Sequence, residues 1–409
     1  MRQSVAVLAV GVVALASVDT ASAIPAFARR YGVECHMCHQ GFPKLNRTGE
    51  RFKQRGFRLE SEDPFKVEDW IKSIPIRARV SGSSYSFEGA DDTLDFGYIK
   101  VVSAGSLGSR VSYWVDDGFF FDDDEESDVH QNPDNAWARV ELLKGGKLYT
   151  RGGRIELDIP FTQARTPQLF SYDIYYANTG SEIDNLAAFR YGMEVGGSLK
   201  DDTYHWSVAL AGGAKDEAGE ALFESSGLDD PTDDLEGNVF LRLARRGDAH
   251  RFGVFGYFGQ NTLARGPASQ PQTWSNKLVR VGGDVDLWFS KLNVYGLYMY
   301  GRNSDAAASP SGVGGLGQSS TFHGGFLQAD YHVFEKEFSG FLKEIALQLT
   351  LRGNYAKLPT QGLDVPQAFT SAYPGVRLFV RERFRFVFEY GFQGEDRPRV
   401  TGVSAEFVF

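Results

Sequence analysis

Short segments in which apolar and polar residues alternate constrain the fold of this chain more than any other feature. Near the C-terminus, one face of segment 384–392 carries five aromatic residues: Phe384, Phe386, Phe388, Tyr390 and Phe392. The other face is charged, with Arg383, Arg385 and Glu389. Strict period-two alternation predicts a β-strand. Because an aromatic face of this size would promote aggregation in water, we expect it to contact lipid.

The same pattern recurs sixteen times between residue 76 and the last residue, Phe409. The predicted strands are 76–87, 93–104, 109–117, 136–144, 148–158, 187–199, 203–213, 237–245, 250–260, 277–289, 292–301, 321–333, 345–356, 373–381, 384–392 and 401–409. An even number of antiparallel strands is usual for outer-membrane barrels. We therefore expect an all-β transmembrane barrel, although a soluble β-sandwich would alternate too.

The lengths of the predicted connections support a barrel with a defined orientation. Connections after even-numbered strands are mostly short, as at Lys144–Lys147, whereas those after odd-numbered strands are long, as at 159–186. The segment 334–344 is the main exception. Short turns face the periplasm in such barrels, so both ends of the barrel chain are expected there.

Composition excludes other classes of protein. The net charge of −10 and pI of about 5.3 argue against nucleic acid as a partner. The 46 Gly, 32 Phe and 18 Tyr occur with a mean hydropathy of only −0.30. Alternating strands average to such a value, because inward positions are polar. Outer-membrane lipid is thus an expected partner.

The first 23 residues are typical of an export signal. Arg2 precedes an apolar run from Val5 to Ala16, and small residues follow at 21–23. This run is too short to span a membrane comfortably. We therefore divide the chain into a signal peptide (1–23), an N-terminal segment (24–75) and a barrel (76–409).

The sequence Cys35-His36-Met37-Cys38-His39 has the C-x-x-C-H spacing of a c-type haem attachment site. Cys35 and Cys38 are the only two cysteines, so a covalent haem c, one per chain, accounts for both. His39 is then the proximal iron ligand. A small oxidisable disulfide loop is the alternative interpretation.

A short helix is predicted after the motif, from Pro43, a residue suited to a first helical position, to Gly56, a residue suited to a helix end. A second helix is predicted after Pro64. Residues 24–60 contain eight Arg or Lys against three Glu. These cations could pair with haem propionates, with acidic lumen walls or with lipid head groups.

About fifty residues bury a haem poorly by themselves, so we expect the segment 24–75 to plug the barrel lumen or its periplasmic mouth. His36 and Met37 lie within the attachment loop and cannot easily turn back to the iron. The candidates for a sixth ligand are His205 and His332, both expected to face inward near the periplasmic end. An open or water-bound position is the alternative.

Residues 25–58 form one pattern: Pro25–Gly32, the haem motif, Phe42–Asn46, Gly49, Phe52 and Gly56-Phe57. This pattern resembles the fused outer-membrane monohaem cytochrome–porins, whose best-known members are Fe(II) oxidases of iron-oxidising bacteria. The resemblance implies covalent haem on Cys35 and Cys38, iron ligation by His39, and electron transfer across the outer membrane. Tyr31 departs from the small polar residue expected in many iron oxidases, so a sister branch with another donor is the alternative.

Two long connections are rich in carboxylates. The segment 116–134 carries Asp116, Asp117, Asp122, Asp123, Asp124, Glu125, Glu126, Asp128 and Asp134, and 214–236 carries Asp229, Asp230, Asp233, Asp234 and Glu236. Carboxylates are hard ligands for divalent cations and could concentrate Fe²⁺ at the outer mouth. Solubility, or Ca²⁺ and Mg²⁺ binding near lipopolysaccharide, is the simpler interpretation.

Two functions follow from these patterns. The first is an electron conduit in which an extracellular reductant, such as Fe(II), reduces the haem and a soluble periplasmic cytochrome accepts the electron. If iron is the donor, the activity is that of an Fe(II):cytochrome c oxidoreductase. The second is a diffusion porin with a tethered haem domain at its periplasmic mouth. Inward arginines would then select anions, or would stabilise the barrel: Arg77, Arg79, Arg280, Arg352 and Arg385.

Overall fold

The computed structural model of the protein describes most of the barrel and part of the N-terminal segment. The described ranges are 26–41, 43–59, 76–89, 93–119, 135–162, 165–170, 172–176, 186–200, 202–212, 237–247, 249–265, 272–306, 318–337, 344–357, 368–380, 384–393 and 399–408. The predicted signal peptide, the helix after Pro64 and the terminal Phe409 lie outside them. So do Asp122–Asp124 and the carboxylates of 214–236.

Sixteen antiparallel strands in these ranges form one closed barrel, which confirms the predicted fold class. Each strand pairs with its neighbours in chain order, and the first pairs with the last. The strands are β1 Ile76–Phe87, β2 Thr93–Ser106, β3 Val111–Phe119, β4 Asn135–Leu143, β5 Leu148–Glu156, β6 Phe189–Leu199, β7 Tyr204–Ala211, β8 Asn238–Arg246, β9 His250–Arg265, β10 Gln272–Phe289, β11 Leu292–Ala306, β12 Gln318–Glu337, β13 Glu344–Lys357, β14 Ala368–Val380, β15 Phe384–Gln393 and β16 Val400–Val408.

Helical structure is minor. The described helices are α1 (Ala26–Tyr31), a 3₁₀ turn (Cys35–Met37), α2 (Arg47–Gln54) and α3 (Asp173–Tyr176). None of the helices in the described ranges is long and apolar enough to cross a membrane.

The two faces of the strands are as different as the alternation predicts. In β13, Leu349 and Leu351 are 46% and 56% exposed on the outer face, whereas Thr350 and Arg352 are 6% and 1% exposed on the inner face. In β10, Arg280 and Asp286 are buried inside. An apolar outer face on a closed barrel suits a lipid environment, because closure leaves no unpaired strand edge.

Several strands extend further toward the long connections than predicted. β9 ends at Arg265, β10 begins at Gln272 and β11 ends at Ala306, each five residues beyond the predicted boundary. Main-chain hydrogen bonds continue along these hairpins after the apolar alternation has ended. Ladder pairing satisfies the backbone whether the side chains face lipid or water, so the hydropathy pattern underestimates such strands.

Candidate functional site

The described part of the N-terminal segment, residues 26–59, packs against the inner wall at the end of the barrel that carries the short turns. Gln54 Nε2 lies 2.5 Å from His205 Nδ1, and Arg55 pairs with Asp202 at 2.9 Å. His205 and Asp202 flank the turn between β6 and β7. Arg58 donates to the carbonyls of Gly108 and Val111, next to the turn between β2 and β3.

An aromatic cluster forms the core of this segment. Phe27 stacks on Phe57 with centroids 5.1 Å apart and meets Phe52 edge-on at 4.9 Å. Phe57 also contacts Trp137 of the barrel wall, at 6.1 Å. The cluster therefore joins the segment to the inner wall of β3 and β4, where aromatic pairs add to area burial.

Tyr31 has a structural role in this cluster. Its hydroxyl donates to the carbonyl of Phe57 at 2.7 Å, and its ring meets Phe52 edge-on at 5.6 Å. A threonine has no ring to contact Phe52, and its shorter side chain would not bring a hydroxyl to the carbonyl of Phe57. The contact ties α1 to the chain after α2.

The cations of the segment pair with acidic lumen walls, one of the three alternatives that the sequence left open. Arg58 lies 3.5 Å from Glu141, and Lys44 lies 3.6 Å from Asp286. Lys44 Nζ also donates to Asn293 at 2.5 Å and lies 3.4 Å from the ring centroid of Tyr295. Burial lowers the pKa of Lys44 to about 8, against the opposing effect of Asp286.

Glu50 is an acidic residue of the segment that pairs with basic residues of the barrel. It pairs with Arg251 and, at 3.5 Å, with Arg246, both next to the turn between β8 and β9. Burial by itself would raise its pKa, but the two arginines outweigh burial and hold the pKa of Glu50 below its usual value. The carboxylate is thus ionised in the lumen, as two adjacent guanidinium groups require.

The helix α2 begins at Arg47, so the predicted start at Pro43 is wrong. Asn46 is the N-cap: its side chain accepts from the N–H of Gly49 at 3.0 Å and donates to the carbonyls of His36 and Met37. A capping side chain overrides the preference of Pro43. The one side chain therefore begins the helix and holds the attachment loop.

The predicted end of α2 at Gly56 is confirmed. Gly56 has φ +62°, and the N–H groups of Gly56 and Phe57 bond to the carbonyls of Lys53 and Phe52. These two bonds form a Schellman motif. They turn the chain so that Phe57 returns to the aromatic cluster.

Cys35, Cys38 and His39 all border one cavity of about 780 Å³ inside the barrel. This volume is within the range of about 300–1,000 Å³ typical of cofactor sites. The two thiols are not joined in a disulfide. The residues present thus fit a covalently attached porphyrin: two thiols and an imidazole on one wall, with aromatic and charged walls around them.

His39 has the chemical form that iron ligation needs. Burial, together with the charge of Arg77, lowers its pKa to about 4, so the imidazole is neutral at neutral pH. His39 also forms a short antiparallel bridge with Leu45, which holds the main chain of the motif against the residues before α2.

Part of the cavity wall is formed by a loop that the sequence did not predict to enter the barrel. The described residues between 157 and 176, here the inward loop, follow β5 and include seven buried apolar side chains: Leu157, Ile159, Phe161, Leu169, Tyr172, Ile174 and Tyr175. Tyr172 stacks on Phe326 of β12 at 3.7 Å. The run of apolar residues, unusual for a water-exposed loop, is the signal that could have revealed it.

The inward loop also engages one of the two candidate distal ligands. His205 borders the cavity, but its Nε2 lies 3.0 Å from Asp158 while Nδ1 faces Gln54. Both ring nitrogens thus have side-chain partners in this arrangement. His332 Nε2 lies 3.1 Å from Gln348 Nε2, and His332 is not among the described residues that border the cavity. Ligation of iron by either histidine stays a prediction.

Other sequence predictions are settled by position. Asp116 and Asp117 belong to β3, so their assignment to an acidic loop is wrong. Asp116 is buried in the lumen, where it accepts a hydrogen bond from Trp114 Nε1 at 2.7 Å.

Among the inward arginines, Arg280 donates to Asn303 and to main-chain carbonyls, so it stabilises the barrel wall. In the ranges described above, no group of three or more His, Cys, Asp or Glu is arranged to hold a metal ion.

Comparisons with known proteins support the fold. No protein-family model matches this chain, and no curated protein matches it. Among solved structures, OmpT, an outer membrane protein of Vibrio cholerae, is similar, with TM-score 0.53 and 10% identity over 82% of this chain and 98% of that chain. Salmonella typhi OmpF, in complex with daunomycin, has TM-score 0.53 and 11% identity over 82% of this chain and 97% of that chain. An anion-selective porin from Comamonas acidovorans has TM-score 0.51 and 10% identity over 82% of this chain and 98% of that chain. At these identities the likeness concerns the fold alone: the chain has the closed barrel architecture of porins.

Proposed function

We propose that this protein is an outer-membrane electron conduit that carries one haem c in its barrel. Cys35 and Cys38 hold the haem covalently, and His39 ligates its iron. The observation that carries the proposal is the meeting of these three side chains at one lumen cavity. When bound, the haem supplies one-electron transfer at its iron.

The surrounding residues have supporting roles in this proposal. Asn46 holds the attachment loop through the carbonyls of His36 and Met37. The aromatic cluster of Phe27, Phe52 and Phe57 keeps water from one side of the site. An extracellular donor, Fe(II) in the iron-oxidase interpretation, would reduce the site, and a soluble periplasmic cytochrome would accept the electron.

Haem attachment is tested on the full chain, expressed with a c-type maturation system. We expect haem to stay on the chain in a denaturing gel, to be lost in Cys35→Ser with Cys38→Ser, and to be retained in the exposed control Met37→Ala. Absence of bound haem in the unmodified chain would refute the proposal. With haem present, anaerobic Fe(II) that gives the reduced spectrum supports an iron donor, whereas reduction by dithionite alone points to another donor.

The second candidate is a diffusion porin with a tethered haem domain. The porin fold of the similar solved structures favours it more directly than it favours a conduit. Planar-bilayer conductance separates the two functions, because a lumen occupied by the N-terminal segment and the inward loop should conduct poorly. A large, steady conductance of the purified protein would favour the porin.

A further inference from the structure

Six exposed cations lie in or beside the short turns: Arg110, Lys144, Lys147, Lys200, Arg245 and Lys291. We call them the basic rim. They belong to five turns, from the one between β2 and β3 to the one between β10 and β11. Among the described residues of these turns, every exposed charged side chain is basic. Asp202 pairs with Arg55, and Asp201 and Asp248 are outside the described ranges.

Most of the basic rim lies in or beside turns that touch the N-terminal segment, as the contacts of Arg58 with Gly108 and of Glu50 with Arg246 already show for Arg110 and Arg245. Lys144 and Lys147 flank Gly146, where an added Cβ would lie 2.8 Å from the carbonyl oxygen of Gln54. Lys200 is two residues from Asp202, which pairs with Arg55 of the segment. These cations therefore lie beside the mouth of the barrel, close to the N-terminal segment.

The haem-attachment loop lies at the same end. Gly41 packs against the ring of Phe379, one residue before the end of β14 at a short-turn position. His36 and Met37 are exposed and are not among the residues that border the cavity. One edge of the attachment loop is thus accessible at the same mouth, where the basic rim occupies five of the turns.

We propose that the basic rim docks a soluble electron-transfer protein with an acidic face, close to the exposed side chains of His36 and Met37. Cations spread over five turns match a protein-sized surface better than a small anion, and they steer an acidic partner by long-range attraction. The redox role of this docking rests on the proposed function, but the docking itself does not require haem. Anionic lipid head groups are the competing occupant.

The test measures binding by the full-length protein in neutral detergent, with a strongly acidic and a strongly basic soluble c-type cytochrome as probes. We expect the acidic probe alone to bind, and its affinity to fall about tenfold or more between low salt and roughly 0.3 M salt. Lys144→Glu with Lys147→Glu should weaken binding by a similar factor. The matched control is Lys277→Glu with Lys357→Glu, two exposed cations toward the long-loop end, which should leave binding unchanged.

Equal binding of both probes, or no effect of the rim substitutions, would overturn the proposal. So would rim substitutions that lower binding of the protein to anionic-lipid vesicles while leaving the acidic probe unaffected, which would assign the rim to lipid. Because binding is measured without electron transfer, a chain that lacks haem yet binds the acidic probe refutes the conduit and supports the docking surface.

Discussion

Individual charges in the lumen are matched across the boundary between the N-terminal segment and the barrel. Glu50 meets Arg251 and Arg246, while Arg58 meets Glu141 and Lys44 meets Asp286. Removing one partner of a buried pair costs more than the pair itself contributes, because the other charge stays buried. Each of these pairs therefore specifies how the segment sits in the lumen.

Glu50→Gln tests this matching through its pH dependence. The folded pKa of Glu50 lies below its usual value, so its stabilising contribution is complete above the pKa of the unfolded chain and is lost as pH falls through the folded pKa. We expect the variant to be less stable than the unmodified protein at neutral pH, by about 1–3 kcal/mol, and the difference to vanish at low pH. Thermal unfolding of both proteins over this pH range is the measurement. The exposed Glu34→Gln is the control, and a difference that persists undiminished at low pH would contradict the argument.

At the scale of single elements, the sequence predicted the strands well because each strand contacts lipid or lumen along its whole length. The helix α2 was predicted only approximately, because its start was placed at Pro43 whereas Asn46 is the N-cap. Asn46 begins it because its side chain also reaches the carbonyls of His36 and Met37. That tertiary contact cannot be read from helix preferences.

Asn46→Ala should loosen both α2 and the attachment loop. Loss of an N-cap costs about 0.5–2 kcal/mol, and two further hydrogen bonds to the loop are lost with it. Gly49→Ala should have a similar effect, because the added Cβ would lie 2.2 Å from the carbonyl oxygen of Cys38. Haem retained per chain is the measurement. Thr48→Ala, at an exposed position of the same helix, should retain haem at the unmodified level, and a loss as large as that of Asn46→Ala would exclude the capping explanation.

The inward loop is the element whose placement the sequence did not reveal. Tyr172→Ala should release it from β12, because Tyr172 is fully buried and stacks on Phe326. Removal of a buried aromatic ring costs about 3–5 kcal/mol. We expect larger current fluctuations in planar bilayers than for Tyr331→Ala, whose side chain is exposed on the outer face of the same strand. Identical current traces for the two variants would show that this contact does not hold the loop.

Within the described ranges, two separate parts of the chain enter the lumen, residues 26–59 and the inward loop, and both border the cavity. The N-terminal segment enters from the short-turn end, and the inward loop follows β5 from the other end. Under the two proposed functions, their joint occupancy decides whether ions can pass through the barrel. The conduit and the porin therefore differ in what fills the barrel rather than in the barrel itself.

Phe57→Ala tests the occupancy of the lumen by the segment. Phe57 is 2% exposed and contacts Trp114 and Trp137 of the wall, so its loss should weaken docking by about 3–5 kcal/mol. We expect higher single-channel conductance and faster proteolysis of residues 26–59 than in the unmodified protein. Phe388→Ala, on the outer face, should change neither. An unchanged conductance with the segment cleaved away would show that the inward loop alone closes the pore.

Local patterns in the sequence determined the closed barrel, its sixteen strands, their two faces and the C-x-x-C-H spacing. These features depend on residues two positions apart or within one motif. Every strand has lipid on its outer side and water on its inner side, so all strands show the same alternation. Only the tertiary structure decided which side chains meet inside the lumen. Gln54 with His205, Lys44 with Asn293 and Tyr172 with Phe326 are separated by 151, 249 and 154 residues in the chain. Such pairs form because the closed sheet brings distant strands around one shared space, which no local pattern records.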